Sequence, residues 1–324
     1  MRIAYKTLKG EFIQGDSIGL LSGELATKLR GQIDLIITSP PFPLNAKKQY
    51  GNEKGDEYLQ WFKSLAPVFS SLLSEKGSLV IEIGNSWEPE RPVQSLLHLE
   101  CLLALVKHPE ANFRLIQEFI CYNPSKLPSP AQWVTVNRIR TVDSYTHVWW
   151  LAKSDFPKAD NRKVLKPYSK SMINLLKRQK YNPGRRPSEH VISEKSFLQN
   201  HGGSIAHNFF EFDAIDEGRD VRLPHSVLSF SNTNSNDYFL SACREKNITP
   251  HPARMNGGLI NFFIEFLTDE GDLVLDPFGG SNTTGYCAEK LNRRWKSFET
   301  KESYLEQARI RFENPKDQIE LTTH

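Results

Sequence analysis

With 324 residues, 39% hydrophobic and 24% charged, the chain has the composition of a soluble globular protein long enough for one large or two modest domains. No apolar run approaches the roughly 20 residues needed to span a bilayer, and Met1-Arg2-Ile3-Ala4-Tyr5-Lys6 lacks a signal-peptide core, so no membrane partner and a cytoplasmic setting are expected. Cys101, Cys121, Cys243 and Cys287 form no Cys-x-x-Cys pair, which argues against a metal site or a disulfide framework, and a net charge of +3 shifts attention to how the charge is distributed.

Glu11 to Gln14 reads as a strand ending in the turn Gly15-Asp16-Ser17, where Asp16 or Ser17 can cap a helix reaching about Lys28. Ile33 to Thr38 is a second strand, so the chain opens in a β-α-β pattern. That strand ends abruptly in Ser39-Pro40-Pro41-Phe42. Two prolines fix φ and donate no backbone hydrogen bond, so the loop offers only acceptors beside an aromatic ring. Such a loop suits a flat group bearing an amino substituent, and a rigid turn after a core strand fits it as well. Asp56 to Leu73 carries apolar residues at helical spacing, and Gly77 to Gly84 reads as a buried strand. Leu96 to Val106 reads as an apolar helix, and Phe113 to Tyr122 and Val148 to Leu151 as strands.

From Lys153 to about Lys195 basic residues dominate: Lys158, Arg162, Lys163, Lys166, Lys170, Lys177, Arg178, Lys180, Arg185 and Arg186. The run fits either a solvated linker or a phosphate-neutralising surface. Asn200 to Asn236 is rich in Gly, Ser, Asn and His and reads as irregular loops. Regular patterning then returns, with a helix at Gly257 to Leu267 and a strand at Asp272 to Asp276. After a Gly-rich turn come a helix to about Leu291, a strand from Trp295 to Phe298 and a last helix from Ser303 to Phe312.

That turn, Asp276-Pro277-Phe278-Gly279-Gly280-Ser281-Asn282-Thr283-Thr284-Gly285, joins strand to helix, and Glu299 follows at about the 20-residue interval at which an acid meets ribose hydroxyls. Glycines permit close backbone approach, and the helix N-terminus presents free amides. The pattern is neither Gly-x-Gly-x-x-Gly nor a P-loop, and it suits a nucleoside cofactor with a charged amino-acid moiety, S-adenosylmethionine. A plain strand-helix turn capped by Ser281 is the structural alternative.

The segment from Asp276 to Gly285 resembles the cofactor motif of amino-group DNA methyltransferases, and Thr38-Ser39-Pro40-Pro41-Phe42 resembles their catalytic motif in its serine form, associated with cytosine N4. The flanking Pro43-Leu44 and Lys47-Lys48-Gln49-Tyr50-Gly51-Asn52 resemble especially the PvuII-type N4-cytosine methyltransferases, and the order of catalytic motif, basic segment and cofactor motif is that of the β group. The resemblance implies an α/β Rossmann-like mixed sheet with circularly permuted motifs. It divides the chain into a catalytic half (1–154), an inserted target-recognition region (155–240) and a cofactor-binding half (241–324). Asn282 departs from the family glycine, but asparagine tolerates a left-handed backbone, so the turn is expected to survive.

By the same resemblance Ser39, Pro40, Pro41 and Phe42 are catalytic. Asp16, Thr38, His251, Pro252, Asp276, Pro277, Phe278, Gly280, Ser281, Asn282, Thr283 and Glu299 hold the cofactor. Asp16 faces the adenine amino group, and His251-Pro252-Ala253-Arg254 closes over the methionine end. Val148-Trp149-Trp150 places an aromatic against the target base. Adjacent strand residues face opposite ways, so one tryptophan at most does this, and Trp150 is chosen beside Phe42. Arg178, Arg185 and Arg186 are candidates for reading DNA. The expected activity is transfer from S-adenosylmethionine to N4 of a cytosine flipped out of duplex DNA, by a monomer serving beside a restriction endonuclease. The alternatives are N6-adenine methylation on the same fold and a non-catalytic DNA-binding module.

Overall fold

The computed structural model describes residues 1–42, 55–193, 196–212, 228–230, 237–251 and 254–322. In chain order the first half contains β1 (Arg2–Lys6), β2 (Gly10–Gln14), α1 (Ser17–Ser22), α2 (Ala26–Leu29), β3 (Ile33–Thr38), α3 (Gly55–Leu72), β4 (Leu73–Gly84), α4 (Leu97–Val106), β5 (Arg114–Tyr122) and β6 (Tyr145–Ala152). The remainder contains α5 (Lys170–Arg178), the short pair β7 (Gly184–Arg185) and β8 (Val191–Ile192), β9 (Phe209–Phe212), β10 (Leu228–Phe230), α6 (Tyr238–Glu245), α7 (Gly257–Leu267), β11 (Leu273–Asp276), α8 (Thr283–Lys290), β12 (Arg294–Glu299) and α9 (Glu302–Ile310).

Among the described residues ten strands form one sheet in the order β1-β2-β12-β11-β3-β4-β6-β5-β9-β10. β1 is antiparallel to β2 and β6 to both its neighbours, while every other adjacent pair is parallel. The expected mixed α/β sheet is therefore present. Its central strands read as unbroken apolar runs because both faces are covered. On one face Ile36, Leu79, Ile81 and Trp149 pack under Phe62, Leu65 and Phe69 of α3 and Cys101 and Leu105 of α4. On the other, Leu35, Ile37, Val80, Trp150 and Val274 meet Leu259, Ile260 and Phe263 of α7, Ala288 of α8 and Ala308 of α9.

Chain connectivity makes a crevice in this sheet. β3 leads through α3 to β4 on one side, whereas β11 leads through α8 to β12 on the other. The crossovers diverge between β11 and β3, which are hydrogen-bonded neighbours. In open α/β sheets such a switch point, at the carboxyl ends of the strands, is where ligands bind.

Some expectations require correction. The single helix from Ser17 to Lys28 is two short ones, because α1 ends at Gly23, where a Cβ would lie 3.0 Å from the Gly19 carbonyl oxygen. α5 lies inside the basic run, for which no helix was expected; Ser169 caps it, its Oγ accepting from the Met172 amide at 3.2 Å. β9 extends the sheet from a stretch read as irregular. α6 (Tyr238–Glu245) was not anticipated, and it packs Phe239, Ala242 and Cys243 against Ile310. No described helix is long and apolar enough to cross a membrane.

Candidate active site

The loops leaving β3 and β11 open into a common cavity of about 430 Å³, with further walls from the ends of β2, β4 and β12. Ser39, Pro40, Pro41 and Phe42 line it on the β3 side, and Asp276, Pro277, Phe278, Gly280, Ser281 and Thr283 on the β11 side. Asp16, Glu299 and His251 complete the set of expected residues that meet there. Residues more than 200 positions apart thus converge on one space.

Asp276 is the pin between the two loops. It is 4% exposed, and its carboxylate accepts from Thr38 Oγ1 at 2.7 Å, Thr284 Oγ1 at 2.6 Å and the Phe278 amide at 3.1 Å. Burial raises its pKa, while these donors act in the opposite direction. Thr38 is fully buried and is not part of the cavity wall, so its expected cofactor contact is corrected to support of Asp276. Asn282 is likewise turned away from the cavity. It adopts the left-handed conformation expected of it (φ 51°, ψ 41°) and caps α8 in place of Ser281, its side-chain oxygen accepting from the Gly285 amide at 3.1 Å. Its side-chain amide donates to Tyr5 Oη at 2.9 Å.

The turn is held from behind by Arg311, which sequence patterning did not mark. This buried guanidinium donates to the Ser281 carbonyl at 3.2 Å and stacks over Phe239 at 4.2 Å. Gly280 has φ +51°, and a Cβ there would lie 3.3 Å from the His251 ring. His251 in turn packs edge-on against Tyr304, with centroids 4.3 Å apart. Pro252 lies outside the described residues, as do Pro43-Leu44 and Lys47 to Asn52.

At the far end of the cavity both Asp16 oxygens cap α1, accepting from the Ile18 amide at 3.2 Å and the Gly19 amide at 3.0 Å. Glu299 Oε1 accepts from the Thr300 and Lys301 amides at 2.8 and 2.9 Å, and Oε2 has no protein partner among the described residues. At the β3 end, Tyr58 Oη donates to the Pro41 carbonyl at 2.7 Å and anchors the Pro-Pro loop. Ser39 Oγ and the Pro40 carbonyl make no hydrogen bond among the described residues. Phe42 lies over Gly84 of β4 so closely that a Cβ there would come within 2.8 Å of its ring.

With catalytic-loop acceptors and a nucleoside-sized cavity sharing one switch point, the comparison with known proteins is direct. A DNA methylase family model, that of the N6 and N4 enzymes, matches residues 33–309. The chain belongs to this DNA methylase family. It is 40% identical over 311 residues to the type II methyltransferase M.PvuII of Proteus hauseri, covering 95% of this chain and 85% of that protein. The solved PvuII DNA methyltransferase, described as cytosine-N4-specific, superposes with a TM-score of 0.71 at 34% identity, covering 96% of this chain and 89% of the other. The M1.HpyAVI–S-adenosylmethionine complex matches with a TM-score of 0.52 at 18% identity over 93% of this chain and 98% of the other, which is a likeness of fold.

For a DNA methylase two expected residue sets sit elsewhere. Trp150 is corrected from base stacking to core packing, since its Nε1 donates to Ser78 Oγ at 2.9 Å and its ring packs edge-on against Phe266. Trp149 is fully buried on the opposite face. Arg178 and Arg185 are exposed and Arg186 is half-buried; none reaches the cavity. Lys158 and Lys163, read with the basic run, instead bind Asp269 and Asp272 beside the amino end of β11, opposite the cleft.

Glu82, Met255, Thr300, Lys301 and Tyr304 line the cavity without having been marked in the sequence, and Glu82 is the buried acid among them. Glu82 of β4 lies beside the β3 loop at 8% exposure. Its Oε1 accepts from Thr146 Oγ1 at 3.1 Å, and burial raises its pKa to about 7 against the pull of Thr146 and Lys126. Its signal was present: a single acid inside Leu79-Val80-Ile81-Glu82-Ile83, an apolar run in which an ionised side chain would lose its hydration.

Proposed function

We propose that this DNA methylase transfers a methyl group from S-adenosylmethionine to the exocyclic N4 of cytosine in duplex DNA, within a restriction-modification system. The observation that carries this reading is the shared cavity: Ser39 to Phe42 and Asp276 to Thr283 leave neighbouring strands into one enclosure.

The residues fit the cofactor. Glu299 Oε2, without a protein partner among the described residues, keeps its acceptor capacity for ribose hydroxyls. Each Asp16 oxygen takes one amide and keeps lone-pair capacity for an adenine amino group. Gly280 lets backbone and ligand approach closely, and Arg254 and Lys301 bring positive charge to the same cavity for a carboxylate. When bound, the cofactor supplies an electrophilic sulfonium methyl group.

Everything else is the work of the chain. The amino nitrogen of cytosine is a poor nucleophile because its lone pair is delocalised into the ring. Ser39 Oγ and the Pro40 carbonyl accept from its two N–H groups and draw the nitrogen toward tetrahedral geometry. The same two acceptors stabilise the positive charge that grows on nitrogen during transfer. Pro41, tied by Tyr58, keeps the loop rigid, and Phe42 offers its ring to the base. Holding the reacting atoms together in a water-poor cavity contributes the rest. The base is reached by flipping it from the duplex. Arg178, Arg185 and Arg186, in the 155–240 region, read the DNA site, and the enzyme works as a monomer beside a cognate nuclease.

The test is mass analysis of nucleosides from DNA of cells expressing the chain, with sequencing to map the modified site. N4-methylcytosine that disappears with Ser39→Ala is the expected result. N6-methyladenine, or no methylated base, would overturn the proposal.

A further inference from the structure

We propose that Glu82, as a neutral carboxylic acid, donates a hydrogen bond to ring nitrogen N3 of the target cytosine. This rests on the N4-methylation reading above and names a substrate-binding residue within that site.

The amino edge of cytosine presents two donors on N4 beside one acceptor, N3. Ser39 Oγ and the Pro40 carbonyl meet the donors. Pro40 and Pro41 have no N–H, so neither residue that follows Ser39 can turn a backbone donor toward N3. Leaving N3 buried and unpaired would carry a desolvation cost. Glu82 is the polar side chain of β4 on this wall, and β4 is hydrogen-bonded to β3 up to Thr38, next to Ser39.

Its two oxygens are unequally engaged. Oε1 accepts from Thr146 Oγ1, and Oε2 has no protein partner among the described residues although the residue is 8% exposed. That division suits an acid whose carbonyl oxygen takes the Thr146 proton and whose hydroxyl faces the cavity. An ionised Glu82 would set an oxygen lone pair against that of N3. Burial favours the proton, bringing the pKa to about 7. The groups around it are Lys126, held by Asp143 at 3.3 Å, and the buried Cys121 thiol of β5. Asp276, Glu299, His251 and Arg254 line other parts of the cavity wall. A hydrogen bond to N3 does not increase the nucleophilicity of N4, so the contribution is to binding and alignment of the base.

The experiment uses the full chain and a duplex bearing its mapped site, with either cytosine or 3-deazacytosine at the target, and measures kcat/KM from pH 5.5 to 9. For the wild type on cytosine, kcat/KM is expected to fall above about pH 7 as the free enzyme loses the proton. Glu82→Gln keeps a neutral donor, so it should stay within severalfold of wild type and lose that alkaline fall. Glu82→Ala should lose roughly tenfold, the scale of one net hydrogen bond. Replacing N3 by C–H should cost the wild type roughly tenfold more than it costs Glu82→Ala. Equal penalties in the two proteins, or an inactive Glu82→Gln that still binds S-adenosylmethionine by calorimetry, would refute the donor role. The first result would mean no contact with N3, and the second a proton acceptor. Failure of the wild type to methylate cytosine at all would overturn the N4 reading and this inference together.

Discussion

Glu82 also makes a prediction about the folded state that is independent of DNA. Its pKa is about 7 in the native protein, against the ordinary 4.5 of a hydrated glutamate, and the cause is burial. Between those values the folded chain binds a proton that the unfolded chain has released. Stability therefore falls as pH rises through this window, and the loss is complete above the folded-state pKa. A difference of 2.5 units at about 1.36 kcal/mol per unit corresponds to a loss of about 3 kcal/mol between pH 4 and pH 8. Glu82→Gln is nearly isosteric and does not titrate. The assay is urea unfolding of wild type and variant in parallel across that range. Every other titrating group is common to both proteins and cancels in the difference. Expected is a variant that gains about 3 kcal/mol relative to wild type on going from pH 4 to pH 8. A difference that stays flat within about 0.5 kcal/mol would show that Glu82 is hydrated or paired in the native state, and would refute the burial argument.

Thr38→Val removes one donor from the buried Asp276 carboxylate while preserving shape; urea unfolding should show a loss of about 1.5–3 kcal/mol, and S-adenosylmethionine affinity by calorimetry should weaken as the two loops lose their tie. Gly84→Ala places a methyl group against the Phe42 ring, which can swing away at the end of its side chain, so stability should stay within about 1 kcal/mol while kcat/KM for DNA falls. Lys158→Gln and Lys163→Gln should leave the salt dependence of DNA binding unchanged, because those lysines pair with Asp269 and Asp272 opposite the cleft. Arg185→Gln should narrow the affinity difference between the mapped site and a duplex altered at one base pair, measured by binding titrations of both duplexes at one salt concentration.

Much of this site is legible in the chain because its chemistry is local. Ser39-Pro40-Pro41-Phe42 announces two successive carbonyls with no backbone donor of their own beside a hydroxyl, and Asp276 to Gly285 announces a backbone that must turn tightly before a helix. Asn282 could be anticipated in a left-handed conformation from its residue type alone, and φ is 51°. The alternation of apolar strands and amphipathic helices sets the α/β class. Trp149 and Trp150 had to face opposite sides of β6, and they do.

What the chain could not state is adjacency. Thr38 and Asp276 are 238 positions apart, and only the order of strands in the sheet brings their side chains to 2.7 Å. The same pairing makes Glu82 a wall of the catalytic cavity and returns Trp150 to the core, although in the sequence the first looks like a misplaced charge and the second like a base-stacking ring. Lys158 and Lys163 read as part of one basic run, yet their partners lie beside the amino end of a strand more than 100 residues later. Periodicity records which side of an element is buried, and composition records how much charge a segment carries. Neither records which strand lies next to which, because strand pairing is decided by packing energy summed over the whole sheet, and that sum exists only once the chain has folded.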